Sequence, residues 1–197
     1  MLIARIVNSN SHVDYAARVL DDFDAEDAPS PEDYGFGTFV SIPVNGVSEA
    51  VGVVYNTMIV NPEYASFGPR LSPKPELGNF SPDFLNEQGV LVGFLLLGTL
   101  SGGNRSSQEL PATPLSAGDP VNSLSEEGFR AFHLGDDGKI ALNYYSQVVS
   151  HAGLFAVPLL ERILGRLGDI AEEDDAKKLE VLKQNLSWQR TVGAARL

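Results

Sequence analysis

The chain has 197 residues, 43% hydrophobic and 20% charged, the composition of a polypeptide that can bury its own core. It contains no cysteine, which excludes disulfides, thiolate metal sites and a cysteine nucleophile together. With 26 acidic against 14 basic residues the formal charge is −12, a field that repels phosphate backbones, so tight unaided binding to DNA or RNA is not expected.

Arg5 and Asn8 interrupt the first apolar stretch, which therefore lacks the core of a signal peptide. The longest apolar run, residues 90–100, is about half of what a helix needs to cross a bilayer. The expectation is a cytoplasmic protein without a membrane contact.

Between residues 2 and 60 hydrophobic side chains recur with a period near two, which predicts three to four strands. Val13, Tyr15, Ala17 and Val19 share one face of the first clear example, and Asp14, Ala16 and Arg18 share the other. Residues 38–44 repeat the pattern with Val40, Ile42 and Val44, while Val51 and Val53 extend the set expected to face inward or into sheet contacts. Pro43 has no N–H and points to an edge or a bulge. The intervening residues 21–35 form an acidic loop. Asp21, Asp22, Asp24, Glu26 and Asp27 are oxygen ligands in kind, but the frame of a calcium loop is missing, so a solvated connection is expected.

Residues 61–88 carry Pro62, Pro69, Pro73, Pro75 and Pro82, which forbid regular helix or central strand and predict a long excursion from the β core. Residues 90–100 then read as a strand buried on both faces, and residues 101–114 as a polar loop.

After Val121 the period becomes helical. A short helix over residues 123–132 has serine at its cap and Glu126 and Glu127 in its first turn. From Ile140, Leu142, Tyr145, Val148 or Val149, and Ala152 follow helical spacing, with Pro158 ending or kinking that helix. A further helix runs from Pro158 to Leu167, with Gly168 past its end. The last covers about residues 172–190 and carries the apolar stripe Leu179, Leu182 and Leu186, with Trp188 nearby. A helix of that length is marginal alone, so the stripe must be covered by this chain or by a neighbouring subunit. These four residues are the candidate interface.

Recognisable catalytic patterns are missing. The glycine-rich run from Gly98 to Ser106 follows an apolar strand, as a phosphate-binding loop does, but Asn104 and Arg105 stand where lysine is needed and no helix-forming sequence follows. A hairpin turn is the better reading. His12, His133 and His151 lack metal-ligand spacing, and no serine lies on a nucleophile elbow. No cofactor, metal or catalytic residue is expected. Long loops on rigid barrels do hold sites, so Tyr55, Tyr64, Phe67 and Arg70 form a candidate pocket under residues 61–88, with packing of the loop as the plainer explanation.

The segments IARIVNSNSHVDYAARV, Gly37 to Ile42, Ala50 to Val54 and Pro114 to Val121 resemble, in that order, the HAS-barrel domain. This is the small β-barrel shared by HerA-type translocases and the N-terminal domains of ATP synthase ring subunits. The resemblance covers residues 1–125 and implies a small antiparallel β-barrel, mainly β with α, followed by a C-terminal helical region at 126–197. In that family adjacent barrels help close a ring around a motor. This chain has no Walker A sequence and no room for a motor after the barrel, so ATP hydrolysis is not implied. The resemblance implies a homo-oligomerisation or adaptor module beside a separate HerA-like translocase or nuclease. The alternative is a small ligand-binding or enzymatic barrel with its pocket under residues 61–88.

Overall fold

Alternation in the first half of the chain produces a sheet that bends round on itself. The structure is a computed structural model that describes residues 1–22, 24–61, 89–102, 105–135 and 138–194. Its strands are β1 (Leu2–Ser9), β2 (Asp14–Val19), β3 (Phe39–Val44), β4 (Ser48–Val60), β5 (Gly89–Ser101), β6 (Arg105–Ser107) and β7 (Pro120–Ser123). They run β2-β1-β7-β3-β4-β5, and a further β2–β5 pairing closes six of them into an antiparallel barrel, with β6 hanging on β5 as a hairpin. Asn45 and Gly46 both take positive φ, 56° and 68°, the backbone that the tight β3–β4 turn demands.

Two cores follow from the period of two. Ile3, Ile6, Tyr15, Val40, Phe94 and Leu96 are among the side chains that fill the barrel interior. The alternate residues Phe39, Val51, Val53, Leu95 and Leu97 point outward into a second core shared with the helices. Val51 and Val53 are therefore buried on the outer wall, while Tyr15, Val40 and Ile42 lie inside. Both sides of β5 are covered, as its uninterrupted apolar run requires. Pro43 is not on an edge strand, because β3 lies between β4 and β7. It is exposed and falls beyond the last residue pair with β7, at Ser41. Residues 62–88 lie outside the described residues; the flanking Val60 and Gly89 pair with each other.

The helices are α1 (Glu126–His133), α2 (Tyr145–His151), α3 (Ala156–Gly168) and α4 (Glu173–Ala194). Ser125 caps α1 by accepting from the Gly128 N–H at 3.1 Å. Changing Ser125 to alanine is expected to cost about 1 kcal/mol in urea denaturation. The helix expected from Ile140 begins only at Tyr145, and Ile140 instead bridges to Leu134. It stops at His151 because Gly153 takes φ 55° and starts a 3-10 turn, Gly153–Phe155, so Pro158 belongs to the first turn of α3. Leu159, Leu160, Ile163, Leu164 and Leu167 recur at helical spacing on α3 and are buried against the outer barrel wall. In α4, Lys177 pairs with Glu173 at 3.0 Å and Lys178 with Asp175 at 2.6 Å. Asp175 also accepts from the Ile140 N–H at 2.8 Å, tying the start of α4 to the loop before α2. Among the described residues no helix is long and apolar enough to cross a membrane.

Candidate functional site

The candidate residues separate once they are placed on this frame. Leu179 and Leu186 are buried and Leu182 is half-buried, all within the core that α4 shares with the other helices and the barrel wall. The chain itself therefore covers most of the stripe. Trp188 points away, 67% exposed, and Val181, two turns earlier on α4, is 57% exposed. Tyr64, Phe67 and Arg70 of the candidate pocket lie outside the described residues.

Tyr55 is described, and it organises the junction between barrel and helices. It projects from the outer face of β4 and lies over Gly93 of β5, where an added Cβ would stand 3.3 Å from the ring. The ring is half-buried, and its hydroxyl donates to Asp14 Oδ1 at 2.9 Å, while Asn10 Nδ2 donates to Asp14 Oδ2 at 3.0 Å. Burial, the hydrogen bond to Asp14 and the charge of that carboxylate push the phenol up to about 12. It stays protonated at neutral pH, which suits a fixed contact and not a proton carrier.

Beside Tyr55 stand aromatic residues that periodicity did not single out. Phe155 has its ring centre 6.5 Å from that of Tyr55 and 6.0 Å from that of Phe36. Phe155 is 42% exposed, and its neighbour Leu154 is 97% exposed on the 3-10 turn. Val149 on α2 is also exposed. Reading residues 140–158 as one continuous helix hid this feature, because the turn at Gly153 is what turns Leu154 outward. A glycine at that point in the apolar pattern was the available signal.

Among the described residues, His133 and His12 are held by contacts within the fold. His133 is fully buried among Phe39, Phe129, Phe132 and Tyr144. The Phe129 carbonyl, 2.8 Å from Nδ1, can only accept, so Nδ1 carries the proton and Nε2 accepts from the Tyr144 hydroxyl at 2.6 Å. Burial drives its pKa down to about 4, against the Phe129 hydrogen bond and with a smaller push from Arg166. Arg166 lies 4.1 Å from the centre of the Phe129 ring and pairs with Glu126. His12 meets the Pro111 carbonyl at 2.7 Å, and His151 is exposed on α2. Among the described residues no group of three or more His, Cys, Asp or Glu is placed to hold a metal ion.

The glycine-rich run is the β5–β6 hairpin. Gly98 lies against the backbone of Ser107, with room for no Cβ. Chain beyond β6 continues without a helix until α1, so no helix starts directly after this hairpin as one does after a phosphate-binding loop. Instead Gln108 clamps two segments, the end of α1 and the loop before α2: its Nε2 donates to the carbonyls of Phe132 at 3.1 Å and Ala141 at 2.9 Å, and its Oε1 accepts from the Asn143 N–H at 2.7 Å. Gln147 of α2 donates to the Leu96 carbonyl, where the β4–β5 register shifts.

The protein is thus a closed six-stranded antiparallel β-barrel, filled by its own side chains and followed by C-terminal helices. The chain belongs to the family described as Domain of unknown function (DUF8166), whose model matches residues 1–196. No curated protein matches it.

Proposed function

We propose that the protein is a non-catalytic oligomerisation or adaptor module that works beside a HerA-like DNA translocase or nuclease in the cytoplasm. The observation that carries this reading is the exposed apolar set at the barrel–helix junction, Leu154 and Phe155 with Phe36 and Tyr55 behind them. Exposed aromatics backed by a rigid scaffold are the residues that anchor protein interfaces. The resemblance to HAS-barrel domains supports the same role by analogy, since those barrels act through their neighbours. The alternative, a ligand-binding or enzymatic barrel with its pocket under residues 61–88, rests on residues that, apart from Tyr55, lie outside the described ones.

Light scattering and native mass spectrometry at two protein concentrations test the proposal. The expected result is an assembly that the double substitution Leu154→Ser, Phe155→Ser reduces in mass while the far-UV spectrum is unchanged. Trp188→Ala tests the exposed face of α4 in the same way. A wild-type chain that stays monomeric at both concentrations and retains no translocase or nuclease partner would end this reading.

A further inference from the structure

Arg5 of β1 and Arg18 of β2 are directly opposed residues on neighbouring strands. Like charges so placed repel each other. Arg18 is compensated, because its Nη1 donates to Asp24 at 3.0 Å and its Nη2 to Asp21 at 3.5 Å. Its Nε is buried without a hydrogen-bond partner. Arg5 is different. Its Nη1 donates to the Gly118 carbonyl at 3.0 Å, and among the described residues no carboxylate meets it.

The two guanidinium groups border a groove of about 570 Å³ on the outer barrel wall, otherwise lined mainly by apolar side chains that include Leu2, Val7, Leu20 and Ala117. One side of this groove is a braced turn. Gly118 takes φ 88° and donates to the Ile6 carbonyl at 2.8 Å, Ile6 donates back to the Asp119 carbonyl at 3.1 Å, and Asp119 Oδ2 accepts from the Ser116 N–H at 2.7 Å. The carbonyl that steers Arg5 is thus fixed before any ligand arrives, which lowers the ordering cost of binding.

We propose that this groove binds a monocarboxylate with an apolar body, its carboxylate on Arg5 and its body along Leu2, Leu20 and Ala117. Charge decides for a monoanion: among the described residues Arg18 is already met by Asp21 and Asp24, while Arg5 is met only by the Gly118 carbonyl, so a single guanidinium is left for a ligand to pair with. A carboxylate suits the shape, since the planar fork of arginine matches it with two parallel hydrogen bonds. The apolar wall decides for a hydrocarbon or side-chain body, as in small-molecule sites where a few polar groups orient an otherwise apolar ligand. This site is separate from the apolar junction at Phe155 and does not depend on the assembly proposal.

Isothermal titration and thermal unfolding of the full chain test it with four probes. Sodium octanoate carries both features, N-acetyl-leucine mimics an apolar chain end, acetate lacks the body and octanol lacks the charge. Octanoate or N-acetyl-leucine is expected to bind with a dissociation constant of about 1 mM or tighter and to raise the unfolding midpoint. Acetate and octanol should bind at least about tenfold more weakly. Which of the two carboxylates binds tighter distinguishes a free acid from a chain terminus as the natural source. Arg5→Met, which keeps the apolar stem, should weaken the better probe about tenfold with an unchanged far-UV spectrum. Ala117→Trp, which fills the groove, should do the same while leaving Arg5 in place. Absence of binding by both carboxylates at about 10 mM, or equal binding by wild type and both variants, would overturn the proposal.

Discussion

Changing Gly98 to alanine is expected to lower the unfolding free energy by about 3 kcal/mol, the largest loss foreseen for a methyl group added at any described glycine. An added Cβ at Gly98 would stand 2.1 Å from the Ser107 carbonyl oxygen and 2.9 Å from the Gln108 Cα. Both are backbone atoms, so no side-chain rotation relieves the clash. β6 has to move away from β5, and Gln108 moves with it, loosening its three hydrogen bonds to Phe132, Ala141 and Asn143. The control is Gly102 in the same hairpin, where the nearest atom to an added Cβ is 3.9 Å away. Gly102→Ala should stay within about 1 kcal/mol of wild type. Equal effects at the two positions, read from urea midpoints, would show that the close approach at Gly98 is not what the glycine serves.

Acid should cost the protein stability through His133. The unfolded chain takes up a proton at this residue near the ordinary value of 6.5, and the folded chain only near 4. Between those values the unfolded state binds more protons, so stability is fully present above about pH 6.5 and falls as pH drops toward 4. Across that window the loss attributable to His133 is about 3 kcal/mol. Carboxylates such as Asp33 and Asp175, both held below their usual range by hydrogen bonds, lose stability in acid as well. The measurement is therefore a difference between two proteins. His133→Phe should be less stable at pH 7, because the buried Tyr144 hydroxyl loses its acceptor, but its curve should be flatter through the window. Parallel curves for wild type and variant would assign the acid sensitivity elsewhere.

Much of the barrel was legible because burial on one or both faces leaves a readable period. Tyr15, Val40 and Ile42 alternate with polar or outward residues, and the unbroken run in β5 announces a strand covered on both sides. The serine cap and the proline in the first turn of α3 were equally plain, since each satisfies a local backbone need. What periodicity does not encode is the identity of the covering element. Leu179, Leu182 and Leu186 announce an apolar face, and only the fold shows that the chain's own helices and barrel wall cover it. The opposition of Arg5 and Arg18 depends on strand register, which two isolated arginines thirteen residues apart do not reveal. The exposed Leu154 and Phe155 depend on a single backbone angle at Gly153.

The closing of the barrel also sets an order of events. β1 is made before the other six strands, yet one of its two neighbours is β7, with Ala4 beside Val121. The seam from Tyr15 to Phe94 spans a shorter but still long stretch of chain. Hairpins such as β3–β4 pair locally and fast, but these seams pay for closing long loops before any contact rewards them. A nascent chain on the ribosome therefore carries β1 with one edge unpaired until the strand that leads into the helices has emerged. Folding is expected to be limited by docking β7 between β1 and β3, and truncation before Val121 should leave a chain that forms hairpins without a closed wall.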